Sequence, residues 1–206
     1  MTSSTERNYA NISRSQLIAF ATIFTALYFV LSYSVSIVIG PLLRGSGAHF
    51  FRAFCMVLIA AKLRSPNGPF IMGTISGILL LLVPAPHSFL YLPGSITAGF
   101  IYDKWLQYGN YYSNSISHNK IVIGSVLSGI GESIVVTAGL FLIGFNFTEI
   151  ITLVNSTGLG STSIIGIWVF SVGKNIVMSF FGAVFAFGFI KSKFLHILRV
   201  DGTWDA

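Results

Sequence analysis

Six mostly apolar stretches alternate with short polar segments along this chain: Gln16 to Ile39, Ala48 to Ala61, Phe70 to Val83, Pro93 to Leu106, Ile121 to Phe145 and Ile164 to Ile190. An α-helix needs about 20 apolar residues to cross a bilayer, and the first, fifth and sixth stretches reach that length. The middle three are shorter and carry Gly and Pro. Such segments cross obliquely or break within the membrane where protein covers their backbone or a cavity borders it. The pattern predicts an all-α polytopic membrane protein. It consists of a single six-helix domain over residues 16–190, a polar segment over 1–15 and a basic and polar tail over 191–206.

Composition agrees with that reading. The chain is 53% hydrophobic and only 9% charged, against roughly 25% charged in soluble domains, which argues against a water-soluble fold. Its 206 residues leave room for roughly six crossings and no separate catalytic or nucleotide-binding domain. Basic residues are retained on the cytoplasmic side of a membrane. Arg7, Arg14, Lys62, Arg64, Lys104, Lys120, Lys191, Lys193 and Arg199 fall on alternate connections and the two termini, whereas the opposite connections hold only Arg44. Both termini are therefore expected in the cytoplasm of a cell-membrane protein. The pI of about 9.6 follows from basic inner loops beside anionic lipid and implies no nucleic acid. The first apolar stretch is too long for a signal-peptide core, so it is expected to be retained. Cys55, the lone cysteine, reads as a buried small apolar residue.

Charge inside the apolar stretches is where chemistry is expected, because it is costly there unless paired or used. From the helical rise, Glu132 lies roughly 18 Å in from the outer end of the fifth helix and Lys174 roughly 15 Å in from that of the sixth. Matched depth on sequential helices predicts an ion pair, either as part of a ligand site or as a structural clip. His49 and Arg52, one turn apart on the second helix, point into an outward-facing cavity or snorkel to the headgroups. Arg52, Glu132 and Lys174 read as the only membrane-embedded charges. Trp168, Ser171, Asn175 and Met178, spaced 3, 4 and 3 apart, share a face of the sixth helix beside Lys174. An aromatic ring, an amide and an ammonium together suit a small planar ligand. His87 and Tyr91 come to the same rim from the outer third connection. The polar stretches Tyr108 to Asn119 and Asn146 to Ser163 read as connectors, the latter with a lid over the site as the alternative.

No metal-ligand spacing, H-E-x-x-H or Walker glycine loop occurs, so no metal, prosthetic group or enzymatic activity is expected. One Glu and one Lys at the midplane favour neither ion sign, which argues against a channel. Small residues on the fifth helix, Gly124/Ser128 and Ser125/Gly129, predict a close-packed seam that brings Glu132 towards the sixth helix. On the first helix Ala21/Thr25 and Thr22/Ala26 form flat patches that would dock another helix of this chain or a partner.

The chain resembles the substrate-binding S components of energy-coupling factor vitamin transporters. The resemblance rests on Ala21-Thr-Ile-Phe-Thr-Ala-Leu-Tyr-Phe-Val-Leu-Ser32, on Pro93-Gly-Ser-Ile-Thr-Ala-Gly-Phe-Ile-Tyr-Asp103, and on Lys174-Asn175 with Gly182-Ala183. It implies a membrane-embedded protein that captures a vitamin or related small molecule from outside without hydrolysing ATP. It also implies docking, through alanine-rich positions of the first helix, on a transmembrane coupling subunit bound to two ATPases. Those positions fall on Ala21, Thr22, Thr25 and Ala26, where Thr replaces one alanine of each pair. The ligand positions implied fall on Glu132, Trp168, Lys174 and Asn175, to which the reading of the charges adds His49 and Arg52. The competing expectation is a non-transporting structural subunit of a membrane complex, in which the buried charges only clip helices together.

Overall fold

The computed structural model describes residues 13–38, 46–83, 88–108, 118–143 and 164–191. Within them lie six α-helices: α1 (Arg14–Val38), α2 (Ser46–Leu63), α3 (Gly68–Leu81), α4 (Tyr91–Tyr108), α5 (His118–Leu142) and α6 (Ile164–Lys191). A 3₁₀ turn, Ser88–Leu90, leads into α4, and no strand occurs among the described residues. The architecture is all-helical, as the pattern predicts. Of the short middle helices, α2 and α4 overrun their apolar stretches because polar residues such as Ser46 and Gln107 extend them, whereas α3 starts and stops two residues before its stretch.

Local chemistry sets the helix starts. Pro69 occupies the first turn of α3 and Pro93 that of α4, where a missing N–H leaves no hydrogen bond unmade. The α2–α3 connection turns within a few residues because Arg64 and Asn67 adopt left-handed backbone angles, with φ of 44° and 75°. The Asn67 N–H donates to Asp103 Oδ1 at 3.0 Å, and Asp103 Oδ2 accepts from Gln107 Nε2 at 2.6 Å. Asp103, which the charge pattern passes over, thus ties the turn before α3 to α4 from a position only 2% exposed.

The helices close into a ring. α1 packs on α2, α2 on α6, α6 on α5, α5 on α4, and α4 on α3, which returns to α1. α2 also touches α3 and α5, and Arg52 to Ala61 are buried without interruption. A helix apolar on every side has to be enclosed, so α2 forms the centre of the core, with Met56, Val57 and Ile59 fully buried. The α3–α4 seam is backbone against backbone. A Cβ at Gly73 would lie 2.5 Å from the Ser95 carbonyl oxygen, and one at Gly99 would lie 2.6 Å from that of Pro69.

Helices consecutive in the chain alternate in direction, as cross-contacts at both ends show, so that in the ring α2 runs parallel to α6 and α3 parallel to α1. At one end Lys62 sits over the Phe20 ring, Trp105 Nε1 donates to the Lys120 carbonyl at 2.8 Å, and His118 meets Phe187 edge-on. At the other, Arg52 reaches Tyr28 and Leu92 covers Gly77. α1, α5 and α6 each contain a segment long and apolar enough to cross a bilayer, while α3 is apolar but shorter. The outer surface carries large apolar side chains, among them Ile23, Val30, Phe181 and Phe185.

Candidate functional site

At the end where α2, α4 and α6 begin and α1, α3 and α5 finish, the helices part around a cavity of about 450 Å³. Tyr33 and Tyr91, both exposed, stand at its rim, while Arg52, Glu132 and Asn175, each at most 6% exposed, line its depth. Phe29, Leu80, Val136 and Leu140 supply apolar wall. Few polar groups converging in an apolar surround is the usual make-up of a small-molecule site.

Glu132 is held from α2. Its Oε2 forms an ion pair with Arg52 Nη1 and lies 3.2 Å from His49 Nδ1. The i, i+3 spacing of His49 and Arg52 sets both on the face that α2 turns towards α5. Arg52 Nη2 donates to the Tyr28 hydroxyl at 3.0 Å, with the guanidinium carbon 5.4 Å from the Tyr28 ring centre. One guanidinium therefore joins α1, α2 and α5. On its other flank, α4 comes close to Glu132 because residue 94 is glycine. A Cβ there would lie 2.7 Å from Val136 Cγ2 and 3.3 Å from Glu132 Cγ.

This corrects the expected pairing of Glu132 with Lys174. The two share the cavity wall, but among the described residues no ion pair joins them; Arg52 and His49 take the carboxylate instead. The reason is topological. α5 packs on α6 but also reaches α2 across the interior, and the α2 guanidinium arrives with several donors where Lys174 offers a point charge. Lys174 consequently faces the cavity with no ion-pair or hydrogen-bond partner among the described residues.

Asn175 is fixed by a short chain of hydrogen bonds. Ser133 Oγ donates to the Gly129 carbonyl at 2.8 Å and accepts from Asn175 Nδ2 at 2.8 Å. A hydroxyl has one proton to give, so the proton between Ser133 and Asn175 has to come from the amide. The amide orientation is thereby set, and Asn175 Oδ1 is buried without a hydrogen-bond partner.

The structure brings together His49, Arg52, Tyr91, Glu132, Lys174 and Asn175, and adds Tyr28 and Ser133, which the charge pattern does not single out. Trp168 is not among them. It is 37% exposed and absent from the cavity wall, because it sits two turns before Asn175 and clears the rim. His87 lies outside the described residues, as do residues 109–117 and 144–163 of the two polar connectors. On α5 the small residues serve two neighbours, Gly124 against Tyr102 and Trp105 of α4 and Gly129 against Ser179 of α6. The two patches on α1 part company: Ala21 and Thr25 are buried, whereas Thr22 and Ala26 are exposed. Asp103 is a fourth buried charge beside Arg52, Glu132 and the half-buried Lys174, with a structural role in the α2–α3 turn. Its place beside Lys104 at the end of an apolar stretch hides it from a search for midplane charges.

No family model, curated protein or solved structure matches this chain.

Proposed function

We propose that this protein is a membrane-embedded capture subunit. It takes up a vitamin or similar small molecule through the cavity and passes it on by docking on a transmembrane coupling subunit driven by ATPases. The observation that carries the reading is the cavity itself. An otherwise apolar bundle keeps a space of about 450 Å³ with the Lys174 ammonium, unpartnered among the described residues, on its wall, and a group so placed costs stability unless a ligand meets it. In this reading all six helices cross the membrane and both termini lie in the cytoplasm. Support comes from the placement of Arg14, Lys62, Arg64, Lys104 and Lys120, which all fall at the end away from the cavity, the side where basic residues are retained. The cavity then faces outward. Thr22 and Ala26 lie on an open face of α1, a surface suited to the coupling subunit.

Native mass spectrometry of the protein purified from its own membrane in mild detergent tests this. A retained small molecule together with copurifying ATPase subunits is the expected result; an empty protein held in a complex without ATPases would overturn it.

One observation favours the alternative, a structural subunit whose charges only fasten helices: the Arg52 guanidinium links α1, α2 and α5 without any ligand. Exchanging the two charges, Arg52→Glu with Glu132→Arg, separates the readings. A fastener tolerates the exchange, whereas a capture site loses its ligand.

A further inference from the structure

One hydrogen bond fixes the register of the α5–α6 seam. Asn175 Nδ2 donates to Ser133 Oγ at 2.8 Å, which sets these two positions face to face on antiparallel helices. One turn nearer the mouth, the same two faces carry Thr137 on α5 and Ser171 on α6, because four residues forward on one helix and four back on the other move in the same direction. Both line the cavity, as does Lys174, three residues after Ser171 and on the same side of α6. The Lys174 charge reaches His49 of α2, so the ammonium acts inside the bundle. Thr22, Thr25 and Thr74 each donate their hydroxyl to the carbonyl four residues earlier, at 2.9, 2.7 and 2.9 Å. Among the described residues the Thr137 hydroxyl makes no such bond and stays available beside Lys174.

Charge balance decides what such a cluster takes. Among the described residues the cavity wall carries two full cations, Arg52 and Lys174, against one carboxylate, Glu132. Glu132 is met by Arg52 and His49, so the positive charge left over is that of Lys174. We propose that Lys174, Thr137 and Ser171 form an anion subsite, in which the ammonium and two hydroxyl donors hold the anionic oxygens of the captured molecule, a carboxylate or a phosphate monoester. The two groups share the chemistry that matters here, charged acceptor oxygens clustered on one atom, and an ammonium flanked by hydroxyls meets either. The assignment rests on the capture reading above and names the charge of what is captured. A neutral or cationic compound leaves Lys174 without a counter-ion, at the desolvation penalty of an unpaired charge.

The test uses the full-length protein in nanodiscs of zwitterionic lipid and a low-molecular-weight filtrate of yeast extract, divided on an anion exchanger into bound and unbound fractions. Each fraction is incubated with the protein, the excess is washed away, and the retained compound is identified by mass spectrometry. The expected result is retention from the bound fraction only. Prior treatment of that fraction with alkaline phosphatase separates the two sources of anion: a phosphate monoester is lost and a carboxylate survives. With the identified compound, calorimetry should show binding at least about tenfold weaker for Lys174→Met, and about threefold weaker for Thr137→Val and for Ser171→Ala, which remove the hydroxyls. Adding Thr137→Val to Lys174→Met should weaken binding by no more than about twofold further, because groups that hold one anion are coupled; circular dichroism and gel filtration establish that each variant is folded. Retention of a compound without an anionic oxygen, equal binding by folded Lys174→Met, or fully additive losses in the double variant overturns the subsite and leaves the capture reading standing. A folded wild-type protein that retains nothing overturns the capture reading and the subsite with it.

Discussion

Among the described residues each end of the bundle buries one carboxylate, and the two are used differently. At the end away from the cavity Asp103 accepts from the Asn67 N–H and the Gln107 amide, beside a core in which Leu63, Tyr102 and Leu106 are almost wholly buried. At the cavity end Glu132 is met by Arg52 and His49, and beside that set Lys174 lines the cavity while the Asn175 carbonyl is buried without a hydrogen-bond partner. The Asp103 cluster closes a turn. The Glu132 cluster holds more polar capacity than its members use on one another, and buried polar groups left unpaired are costly. On the capture reading proposed above, the difference separates the end that serves stability from the end that serves a ligand.

Arg52→Met puts the largest strain on that contrast, since it strands the Glu132 carboxylate in an apolar wall. Thermal unfolding in detergent should show a loss of about 3–5 kcal/mol; a loss below about 1 kcal/mol would mean that water already solvates Glu132. Asp103→Ala is expected to cost about 2 kcal/mol through the lost hydrogen bonds, with faster hydrogen exchange at the Asn67 amide and none of the change at the cavity end. Lys174→Met carries the opposite sign. Removing an unpartnered ammonium should raise stability by about 1 kcal/mol in the empty protein, and a loss comparable to that of Arg52→Met would make Lys174 a structural charge. The smallest effect belongs to Trp168→Ala, within about 0.5 kcal/mol, because the indole stands half out of the bundle; a larger loss would return it to the working end.

The helices themselves are readable from the sequence because apolar continuity and helical rise set length directly. Even the short middle stretches form helices, as the ring covers their backbones and supplies the packing that their length does not. Most of the cavity's residues are readable too, since a charge in an apolar stretch has few reasons to be there. What is not readable is who meets whom. Depth along two consecutive helices suggests Glu132 with Lys174, but depth says nothing of azimuth, and the ring topology turns Glu132 towards α2. Trp168 shares a helical face with Asn175 by spacing, yet two turns of rise carry it past the rim. Tyr28 and Ser133 emerge only from geometry, because a tyrosine or serine in an apolar helix is too common to single out until its partner is known.

The enclosure of α2 also bears on how such a chain is made. α2 is 18 residues long and carries both Arg52 and Lys62, so it is a poor candidate for partitioning into lipid by itself. Its counter-charge, Glu132, is synthesised three helices later. In a membrane-inserted protein the ribosome therefore releases the axle of the fold before the spokes that hold it. α2 has to wait beside α1 or the insertion machinery until α5 arrives, and Arg52→Leu, which removes the need to wait, is expected to integrate earlier even as it weakens the finished protein.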